Sequence, residues 1–406
     1  MKYSVLKVHN RYQQPGGEDE SMRNEFDLLT RAGHSVIEYG RNNDEIAAYR
    51  LIDKASLGLR TVWAWDSYRQ IRALLRIHKP DIAHFDNTFP LISPAVYYAC
   101  REAGVPVVQS VRNYRLLCPS ATFHRQGRVC EDCLGHNPWR GVLHGCYRHS
   151  RAETAVVAMM LSVHRWLGTW SKMVDCYIAL TEFTRGKLIE GGLAAEKIVV
   201  KPNFVHPDPL AVNHQSSIAD QKSPQGNALF VGRLSVEKGV GTLLAAWQRL
   251  GNHVPLGVVG DGPLRAKLEG YARQHDLSHV FFHGRLNQER TLAAIKRSRF
   301  LVFPSEWYET FGRVAVEAFA CGVPVIASRL GAMAEIVEDG RTGLHFTPGD
   351  PEDLAAKVEW AWTHPDATEE MGRAARREYE AKYTAERNYQ ILIQIYEKAV
   401  QRSKVG

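Results

Sequence analysis

The chain alternates short apolar, β-branched runs with longer stretches whose apolar positions recur at helical spacing. In the first half, this pattern predicts strands at residues 3–8, 35–39, 81–85, 106–109, 176–180 and 198–201, with helices at 18–32, 66–78, 94–103 and 181–190. In the second half, it predicts strands at residues 228–231, 256–259, 280–283, 300–303, 324–327 and 344–346, again with helices between them. Repeated strand–helix units predict an α/β protein with two doubly wound parallel sheets.

A polar stretch rich in Pro, Ser and Gln separates the two halves at residues 206–227 and shows no periodicity. We therefore expect a Rossmann-like domain over residues 1–205, a linker, and a second such domain over residues 228–384. A last helix within residues 385–406 is expected to pack back on the first domain. Because such sheets bind ligands beyond the carboxyl ends of their strands, the two domains are expected to face a cleft.

The composition is that of a folded globular protein, with 45% hydrophobic and 23% charged residues in 406. The first residues lack the uninterrupted apolar run of a secretory signal. The most apolar stretch, residues 154–163, ends at His164 and Arg165 and is too short to span a bilayer. We therefore expect a cytoplasmic protein.

The formal net charge of +7 suits an acidic ligand such as a nucleotide diphosphate, an anionic lipid surface or a nucleic acid. Basic residues concentrate at 112–151, where seven arginines face only two acids, Glu131 and Asp132. This segment is either a solvated basic loop or a site for an acidic acceptor or for membrane phosphates. In the second case, the protein would contact the inner face of the cytoplasmic membrane peripherally.

Two motifs of the second half suit a phosphate-containing ligand. Residues 231–239 place Gly232, Arg233, Lys238 and Gly239 between a strand and a helix, where glycines allow close approach and helix amides attract anions. A solvated pair of cations is the alternative. Further on, Glu309 and Glu317 bracket the start of a predicted helix, where carboxylates can accept hydrogen bonds from sugar hydroxyls on either side of a diphosphate.

Four segments together resemble glycosyltransferase family 4, whose members are retaining enzymes with the GT-B fold. They are Gly16-Gly17-Glu18, Gly232-Arg233 with Lys238-Gly239, Gly260-Asp261-Gly262-Pro263, and Glu309 with Glu317. The likeness extends over nearly the whole chain and is strongest between residues 228 and 350. It implies a transferase that uses a nucleotide-diphosphate sugar, retains anomeric configuration and needs no catalytic metal.

The resemblance also implies roles for particular residues. Arg233 and Lys238 would bind the diphosphate and stabilise the leaving group, while Glu309 would hold the donor sugar. Glu317 would hold the ribose hydroxyls. The remaining donor-binding positions are Gly16, Gly17, Gly232, Thr310, Phe311 and Gly312.

Residues on the acceptor side are less clearly marked. His84 and Asn87 end a predicted strand and should therefore lie at the cleft. Arg112 stands where the family commonly has a histidine, and an arginine cannot act as a base near neutral pH. Together with Arg115, it could clamp a donor phosphate or an acceptor pyrophosphate, or it could form a structural ion pair. The flanking segments 13–18 and 113–119 resemble enzymes of bacterial surface-polysaccharide assembly, which act on glycan or polyprenyl-diphosphate-linked acceptors.

Four of the seven cysteines cluster in sequence as Cys118, Cys130, Cys133 and Cys146. A C-x2-C pair with two further cysteines at moderate spacing can form a closed tetrahedral thiolate site for structural zinc. Four reduced cysteines, or a disulfide or redox role, are the alternatives.

Three other classes of protein share some of these features. A nucleotide-sugar epimerase shares the two-domain architecture but has less reason to carry Glu309 and Glu317 in this spacing. A nucleic-acid-binding zinc protein would explain charge and cysteines but not the donor motifs, and no aromatic–basic RNA signature is present. We therefore expect no nucleic-acid partner. A catalytically inactive sugar- or lipid-binding module is the third alternative.

Overall fold

The computed structural model describes residues 2–13, 16–49, 51–211 and 226–404, with only the backbone given for 51–55. The chain forms two compact units. Unit 1 comprises Met1–Phe123, Cys130–Pro202 and Asn388–Gly406, and unit 2 comprises His124–Val129 and Asn203–Arg387. Most of the polar stretch at 206–227, namely residues 212–225, lies outside the described residues.

Unit 1 is built on a six-stranded sheet in which every neighbouring pair is parallel. The strands from the first half of the chain are β1 (Ser4–Arg11), β2 (Ser35–Asn42), β3 (Ile82–Asn87), β4 (Val107–Ser110), the hairpin strands β5 (His124–Arg125) and β6 (Arg128–Val129), β7 (Cys176–Ala179) and β8 (Ile198–Val200). The sheet order is β2-β1-β3-β4-β7-β8. The hairpin strands pair with each other, antiparallel, and belong to unit 2.

Helices connect the strands. They are α1 (Gly17–Arg31), α2 (Leu51–Val62), α3 (Trp65–His78), α4 (Ala95–Glu102), α5 (Arg140–Leu143), α6 (Arg151–Trp166), α7 (Thr169–Lys172) and α8 (Glu182–Glu190). The apolar stretch at 154–163 lies within α6, whose Val157, Leu161 and Met160 are buried. Among the described residues, no helix combines the length and apolarity needed to cross a bilayer.

Unit 2 repeats the architecture with a second parallel six-stranded sheet. Its strands are β9 (Ala228–Val231), β10 (Leu256–Val259), β11 (Val280–Gly284), β12 (Phe300–Phe303), β13 (Val325–Ser328) and β14 (Gly343–Phe346). Its helices are α9 (Val240–Leu250), α10 (Arg265–Gln274), α11 (Gln288–Arg297), α12 (Arg313–Ala320), α13 (Met333–Ile336), α14 (Pro351–Thr363) and α15 (Pro365–Lys382). The order β11-β10-β9-β12-β13-β14 is that of a dinucleotide-binding sheet. Two Rossmann-like parallel sheets confirm the predicted fold class.

The last helix, α16 (Ala385–Ser403), contributes to the core of unit 1 from residue 388 onward. Its Leu392, Ile395 and Tyr396 are buried against apolar residues of β1, β3, β4 and β7. Asn388 anchors the start of this contact, because its side chain donates to the Pro202 carbonyl and accepts from Lys201. A helix that covers one face of the sheet explains why β3 is buried along its whole length.

Candidate functional site

The strand order of unit 2 reverses at β9, which pairs with β10 on one side and β12 on the other. Ligands of doubly wound sheets bind beyond the carboxyl ends of the strands at such a reversal. The two segments at this point are residues 232–239 after β9 and 304–312 after β12, which contain most of the predicted donor-binding residues.

Glycine is required where these segments touch. Gly239 has φ +66°, and a Cβ there would lie 1.8 Å from the Pro304 carbonyl oxygen. A Cβ at Gly260, after β10, would lie equally close, at 1.8 Å, to the carbonyl oxygen of Gly232. These contacts bring the backbones after β9, β10 and β12 together, and only glycine leaves room for such an approach.

Lys238 and Glu309 meet directly at the reversal point. Lys238 Nζ donates to Glu309 Oε1 at 2.6 Å, and the Glu309 side chain is 9% exposed. The same oxygen accepts from Ser305 Oγ at 2.8 Å and Trp307 Nε1 at 2.7 Å. The Lys238 ammonium also lies 5.2 Å from the centroid of the Trp307 ring. Ser305 and Trp307 hold this carboxylate, and the carboxylate in turn orients the Lys238 cation beside it.

Ser305 and Trp307 were not singled out by the sequence analysis. Both belong to the segment that follows β12, and each contacts Glu309 from only a few residues away. The feature of the sequence that could have identified them is their closeness to Glu309, since polar side chains in one short loop commonly form local hydrogen bonds.

Glu317 lies inside α12 and is paired with Arg313 of the same helix, at 3.0 Å between Nε and Oε1. The i, i+4 spacing places the two side chains on one helix face. Arg313 was not predicted from the sequence as a partner of Glu317. Any hydroxyl bound by Glu317 would therefore share its carboxylate with a guanidinium.

The other predicted donor residues occupy the same two segments. Arg233 is exposed on the turn after β9. Phe311 is buried and packs edge-on against Tyr383, with the ring centroids 6.0 Å apart, so only its backbone could meet a ligand. Gly312 caps α12 at φ +80°, and a Cβ there would lie 2.1 Å from Met333 Cε. Thr310 precedes it and is half-buried. The free amides of the first turn of α12 therefore follow directly on the segment that contains Glu309, beyond the carboxyl end of β12.

Gly16 and Gly17 begin α1 in unit 1, where Gly16 is the N-cap residue. A Cβ at either position would meet no atom within 4 Å. Steric crowding among the described residues therefore does not require glycine at these two positions. Their role in donor binding stays a prediction.

Two of the acceptor-side candidates, His84 and Arg112, are buried. His84 is fully buried, with Nδ1 hydrogen-bonded to Tyr396 at 2.8 Å and Nε2 to Ser110 at 2.8 Å. Arg112 is 5% exposed, and its Nε donates to Asp86 at 2.7 Å. A fully buried ring does not fit the expectation that His84 faces the cleft, because both faces of β3 are covered. For Arg112, the geometry is that of the structural ion pair.

These residues belong to a buried charge cluster that we define as Lys7, Glu25, His84, Asp86, Arg112 and Lys201. Lys7 Nζ lies 2.6 Å from Asp86 and 3.1 Å from Glu25, while Lys201 lies 2.6 Å from Glu25. Burial alone would raise the pKa of Glu25, but Lys201, Lys7 and Arg112 hold it well below its usual range. Burial, reinforced by Lys7, lowers the pKa of His84 to about 3. The imidazole is therefore neutral at physiological pH.

Asn87 and Arg115 line a cavity of about 40 Å³ together with Asp86, Arg112, Asn113 and Trp170. Asn87 uses its amide to hold the backbone, donating to the Asn10 carbonyl and accepting from Phe89 N–H. The Arg115 guanidinium lies 4.4 Å from the Phe89 ring centroid and 4.9 Å from that of Tyr147. Of the four acceptor-side candidates, Arg115 is thus the one that combines a cation with partial exposure.

A carboxyl group near this cavity was not singled out from the sequence. Glu18, in the first turn of α1, accepts from Asn113 Nδ2 at 3.0 Å. Burial raises the pKa of Glu18, and the Asn113 hydrogen bond only partly opposes this. A carboxyl with a raised pKa has the property required of an acid–base group.

Comparisons with known proteins agree with this architecture. The family profile described as "Glycosyl transferases group 1" matches residues 214–378, and that described as "Glycosyltransferase Family 4" matches residues 15–209. A glycogen synthase of Mycobacterium tuberculosis is 37% identical over 89% of this chain and 86% of its own length. The chain belongs to the GT-B glycosyltransferases. It is a glycosyltransferase in which the two family profiles fall on different halves of the chain.

Other relatives of this glycosyltransferase are matched over shorter spans. "D-rhamnosyltransferase WbpZ" of Pseudomonas aeruginosa is 38% identical over 39% of this chain and 41% of its own length. "O-antigen chain mannosyltransferase C" of Escherichia coli is 31% identical over 41% of this chain and 45% of its own length. The chain thus spans less than half the length of these two curated relatives. Among solved structures, HepE of Anabaena in complex with UDP and glucose superposes with a TM-score of 0.66 at 19% identity, over 97% of this chain and 99% of that one, which shows the shared fold.

Proposed function

We propose that this glycosyltransferase moves a sugar from a nucleotide-diphosphate sugar to an acceptor with retention of anomeric configuration and without a catalytic metal. The observation that carries the proposal is the Lys238–Glu309 pair at the point where the sheet order of unit 2 reverses. It places a fixed cation and a fixed carboxylate where a doubly wound sheet binds a nucleotide.

The leaving group of such a donor gains negative charge as the bond from the anomeric carbon to the phosphate oxygen breaks. Lys238, Arg233 and the amides at the start of α12 would stabilise that charge. Glu309 would accept hydrogen bonds from sugar hydroxyls, and Glu317 from the ribose. In a front-face displacement, the acceptor oxygen bonds to the anomeric carbon on the side that the phosphate leaves, and the acceptor proton passes to the departing phosphate. The HepE complex with UDP and glucose supports a nucleotide-sugar donor.

Thermal-shift measurements with UDP-, GDP- and ADP-sugars test the donor class, since a ligand that binds only the folded state stabilises it by mass action. We expect sugar nucleotides with one of the three nucleobases to raise the melting temperature of the wild type. Lys238→Ala should reduce that shift. Proton NMR of the product tests retention: an α-linked donor should yield an α-linked product. Inversion of the anomeric centre would contradict the mechanism.

We propose that the protein is a family 4 enzyme of bacterial surface-polysaccharide assembly. Its acceptor would be a glycan or a polyprenyl-diphosphate-linked saccharide. Support comes from the similarity to the O-antigen mannosyltransferase and from Arg115, a cation beside the cavity of unit 1. Arg115→Ala should then raise KM for a diphosphate-linked acceptor more than for the same saccharide without the diphosphate. Equal effects on both acceptors would leave Arg115 without this role.

We also propose that unit 1 contacts an anionic membrane surface peripherally. Trp139 Nε1 donates to Ser162 Oγ, and Ser162 shares a face of α6 with Trp166 one turn later. Trp166 is 84% exposed and Leu143 is 69% exposed, while Arg140 and Arg165 flank them. Exposed tryptophans with neighbouring arginines suit the headgroup region of an anionic bilayer.

Vesicle cosedimentation tests the membrane contact. Wild-type protein should sediment with vesicles containing anionic lipid and much less with neutral vesicles, and Trp166→Ser should reduce the bound fraction severalfold. Phe281→Ser, which changes a 52% exposed aromatic residue of unit 2, serves as the matched control. Equal sedimentation of the two variants would contradict the assignment of this surface.

A further inference from the structure

The loop that contains four cysteines is folded by turns rather than by long regular elements. Between Cys118 and Cys146 it contains only the two-residue strands β5 and β6 and the four-residue helix α5. None of the seven cysteines, all of which lie in the described residues, forms a disulfide bond. Segments that cannot bury enough apolar surface of their own are commonly held by a metal or by disulfides.

The backbone nevertheless folds the four cysteines back toward one another, although no three of their sulfurs, all of which are among the described residues, lie within 4.8 Å of one another. The β5–β6 hairpin returns the chain, so that Cys130 N–H donates to the Phe123 carbonyl at 2.7 Å. Cys133 follows within the same C-x2-C turn. On the other side of the loop, Cys146 N–H donates to the Gly141 carbonyl at 3.1 Å.

Gly141 lies at the centre of this arrangement. A Cβ at Gly141 would lie 3.1 Å from Cγ of Pro119, the residue that follows Cys118. The Gly141 N–H donates to the Pro138 carbonyl at 3.1 Å, and the Cys133 thiol lies 4.0 Å from the same oxygen. Gly141 therefore contacts the neighbour of Cys118 and the backbone of Cys146, and it shares the Pro138 carbonyl with the sulfur of Cys133.

A cation lies beside the C-x2-C turn. The Arg165 guanidinium donates to the carbonyl of His136, three residues after Cys133, at 2.8 Å. A guanidinium near four thiolates would partly offset the net negative charge of a tetrathiolate zinc centre.

We propose that Cys118, Cys130, Cys133 and Cys146 bind one structural zinc ion. On binding, each thiol releases its proton to solvent and its sulfur becomes a ligand, so the ion has four thiolates and no open position for catalysis. Zinc–sulfur bonds of ~2.3 Å in a tetrahedron place the sulfurs roughly 3.8 Å apart. Binding would draw the side chains together within a loop made of turns.

A second cluster in the described residues is tighter but unsuited to a metal. Potential ligand atoms of Glu25, His84 and Asp86 lie within 4.8 Å of one another. Lys7, however, contacts both carboxylates, and Lys201 pairs with Glu25. A divalent cation would therefore have to displace ammonium groups that already neutralise these acids.

The zinc site would have a consequence for unit 1 beyond the loop. Tyr147 follows Cys146 directly, and its ring lies against the Arg115 guanidinium, which also donates to the Pro119 carbonyl beside Cys118. Fixing Cys118 and Cys146 would thus fix both contacts of Arg115. The zinc ion would thereby position Arg115, which lines the cavity, without itself contacting a bound substrate.

Elemental analysis of the full chain, purified without chelator, tests the proposal. We expect about one zinc per chain in the wild type and its loss in Cys133→Ser and Cys118→Ser. Cys321→Ala, which removes a buried thiol of unit 2, is the matched control and should retain the metal. A wild type that stays metal-free after reconstitution with zinc, or that contains iron instead, would overturn the proposal.

Cobalt substitution of the wild type keeps the test valid where a cysteine variant fails to fold. Four thiolate ligands should produce strong sulfur-to-cobalt charge-transfer absorption and the intense visible bands of tetrahedral coordination. Weak octahedral bands, or no bands at all, would show that the four cysteines do not form this site. Neither measurement depends on transferase activity, so failure of the zinc site leaves the proposed reaction untouched.

Discussion

Lys238 Nζ and Glu309 Oε1 lie 2.6 Å apart although 71 residues separate them in sequence. The pair forms because the strands that precede them, β9 and β12, are neighbours in the sheet of unit 2. A cation that already has a carboxylate partner is oriented before any ligand arrives, which lowers the cost of binding a phosphate there.

Removing the cations should weaken donor binding. We expect Lys238→Ala and Arg233→Ala each to weaken binding of the matching nucleoside diphosphate by about tenfold to a hundredfold, because a charge-assisted contact contributes roughly 1.5–3 kcal/mol. Isothermal titration calorimetry measures this, with Lys267→Ala on the exposed side of α10 as the control. Unchanged affinity in both variants would remove the phosphate-binding role.

Neutralising Glu309 should affect turnover more than stability. Glu309→Gln keeps an oxygen that can accept from Ser305 and Trp307 but loses the charge that holds Lys238. We expect kcat to fall by at least about tenfold, the factor that 1.4 kcal/mol represents, while the melting temperature changes little. Glu338→Gln, an exposed acid of the same unit, should behave like the wild type. Normal turnover by Glu309→Gln would refute the role of this carboxylate.

Gly239→Ala should destabilise unit 2 and weaken donor binding together. The residue has φ +66°, and the added Cβ would fall 1.8 Å from the Pro304 oxygen, so the segment carrying Lys238 must move. Left-handed backbone alone costs about 1–2 kcal/mol for a non-glycine residue. Gly241→Ala is the matched control, since its Cβ would meet no atom within 4 Å. Differential scanning calorimetry that finds both variants equally stable would contradict this packing.

Unit 1 should lose stability in mild acid. The pKa of His84 is lowered by burial to about 3 in the folded state, whereas an unfolded histidine titrates near ~6.5. The unfolded state therefore binds the proton more tightly, and stability falls by up to ~1.4 kcal/mol per pH unit as pH decreases from about 6.5 toward 3. Lowered pKa values of Glu25 and Asp86 extend the loss at still lower pH.

Urea denaturation between pH 7 and 5 measures this slope. His84→Gln can keep hydrogen bonds to Tyr396 and Ser110 without titrating, so its slope should be shallower than that of the wild type. His78→Gln, which changes an exposed histidine of α3, should retain the wild-type slope. The same slope in all three proteins would mean that His84 does not dominate the acid response.

Transfer should not require added divalent metal. Lys238, Arg233 and the amides of α12 are proposed to supply the positive charge that Mg²⁺ supplies to diphosphates in other sites. Initial rates measured with Mg²⁺, with Mn²⁺ and with EDTA should therefore agree within about twofold. A strict dependence on added metal would contradict the proposed mechanism.

The amino-acid sequence by itself determined the fold class. All twelve strands of the two parallel sheets lie where apolar, β-branched runs predict them, and β9, β10 and β12 have the predicted limits. The reason is physical: strands covered by helices on both faces need nearly continuous apolar residues, which stand out between amphipathic helices. The motifs around Gly232 and Glu309 could be recognised in the sequence because their glycines and charged residues interrupt the alternation of apolar strands and amphipathic helices.

Only the tertiary structure decided which polar side chains meet. Both faces of β3 are buried. The position of His84 in this strand therefore did not show whether its side chain lies in the core or at the open edge of the sheet, and the structure places it in the core. Arg112 pairs with Asp86, and Lys201 with Glu25, across distances in sequence that no local pattern encodes. Charge pairing depends on a few ångströms between atoms, and those distances exist only once the sheet order and the helix positions are set.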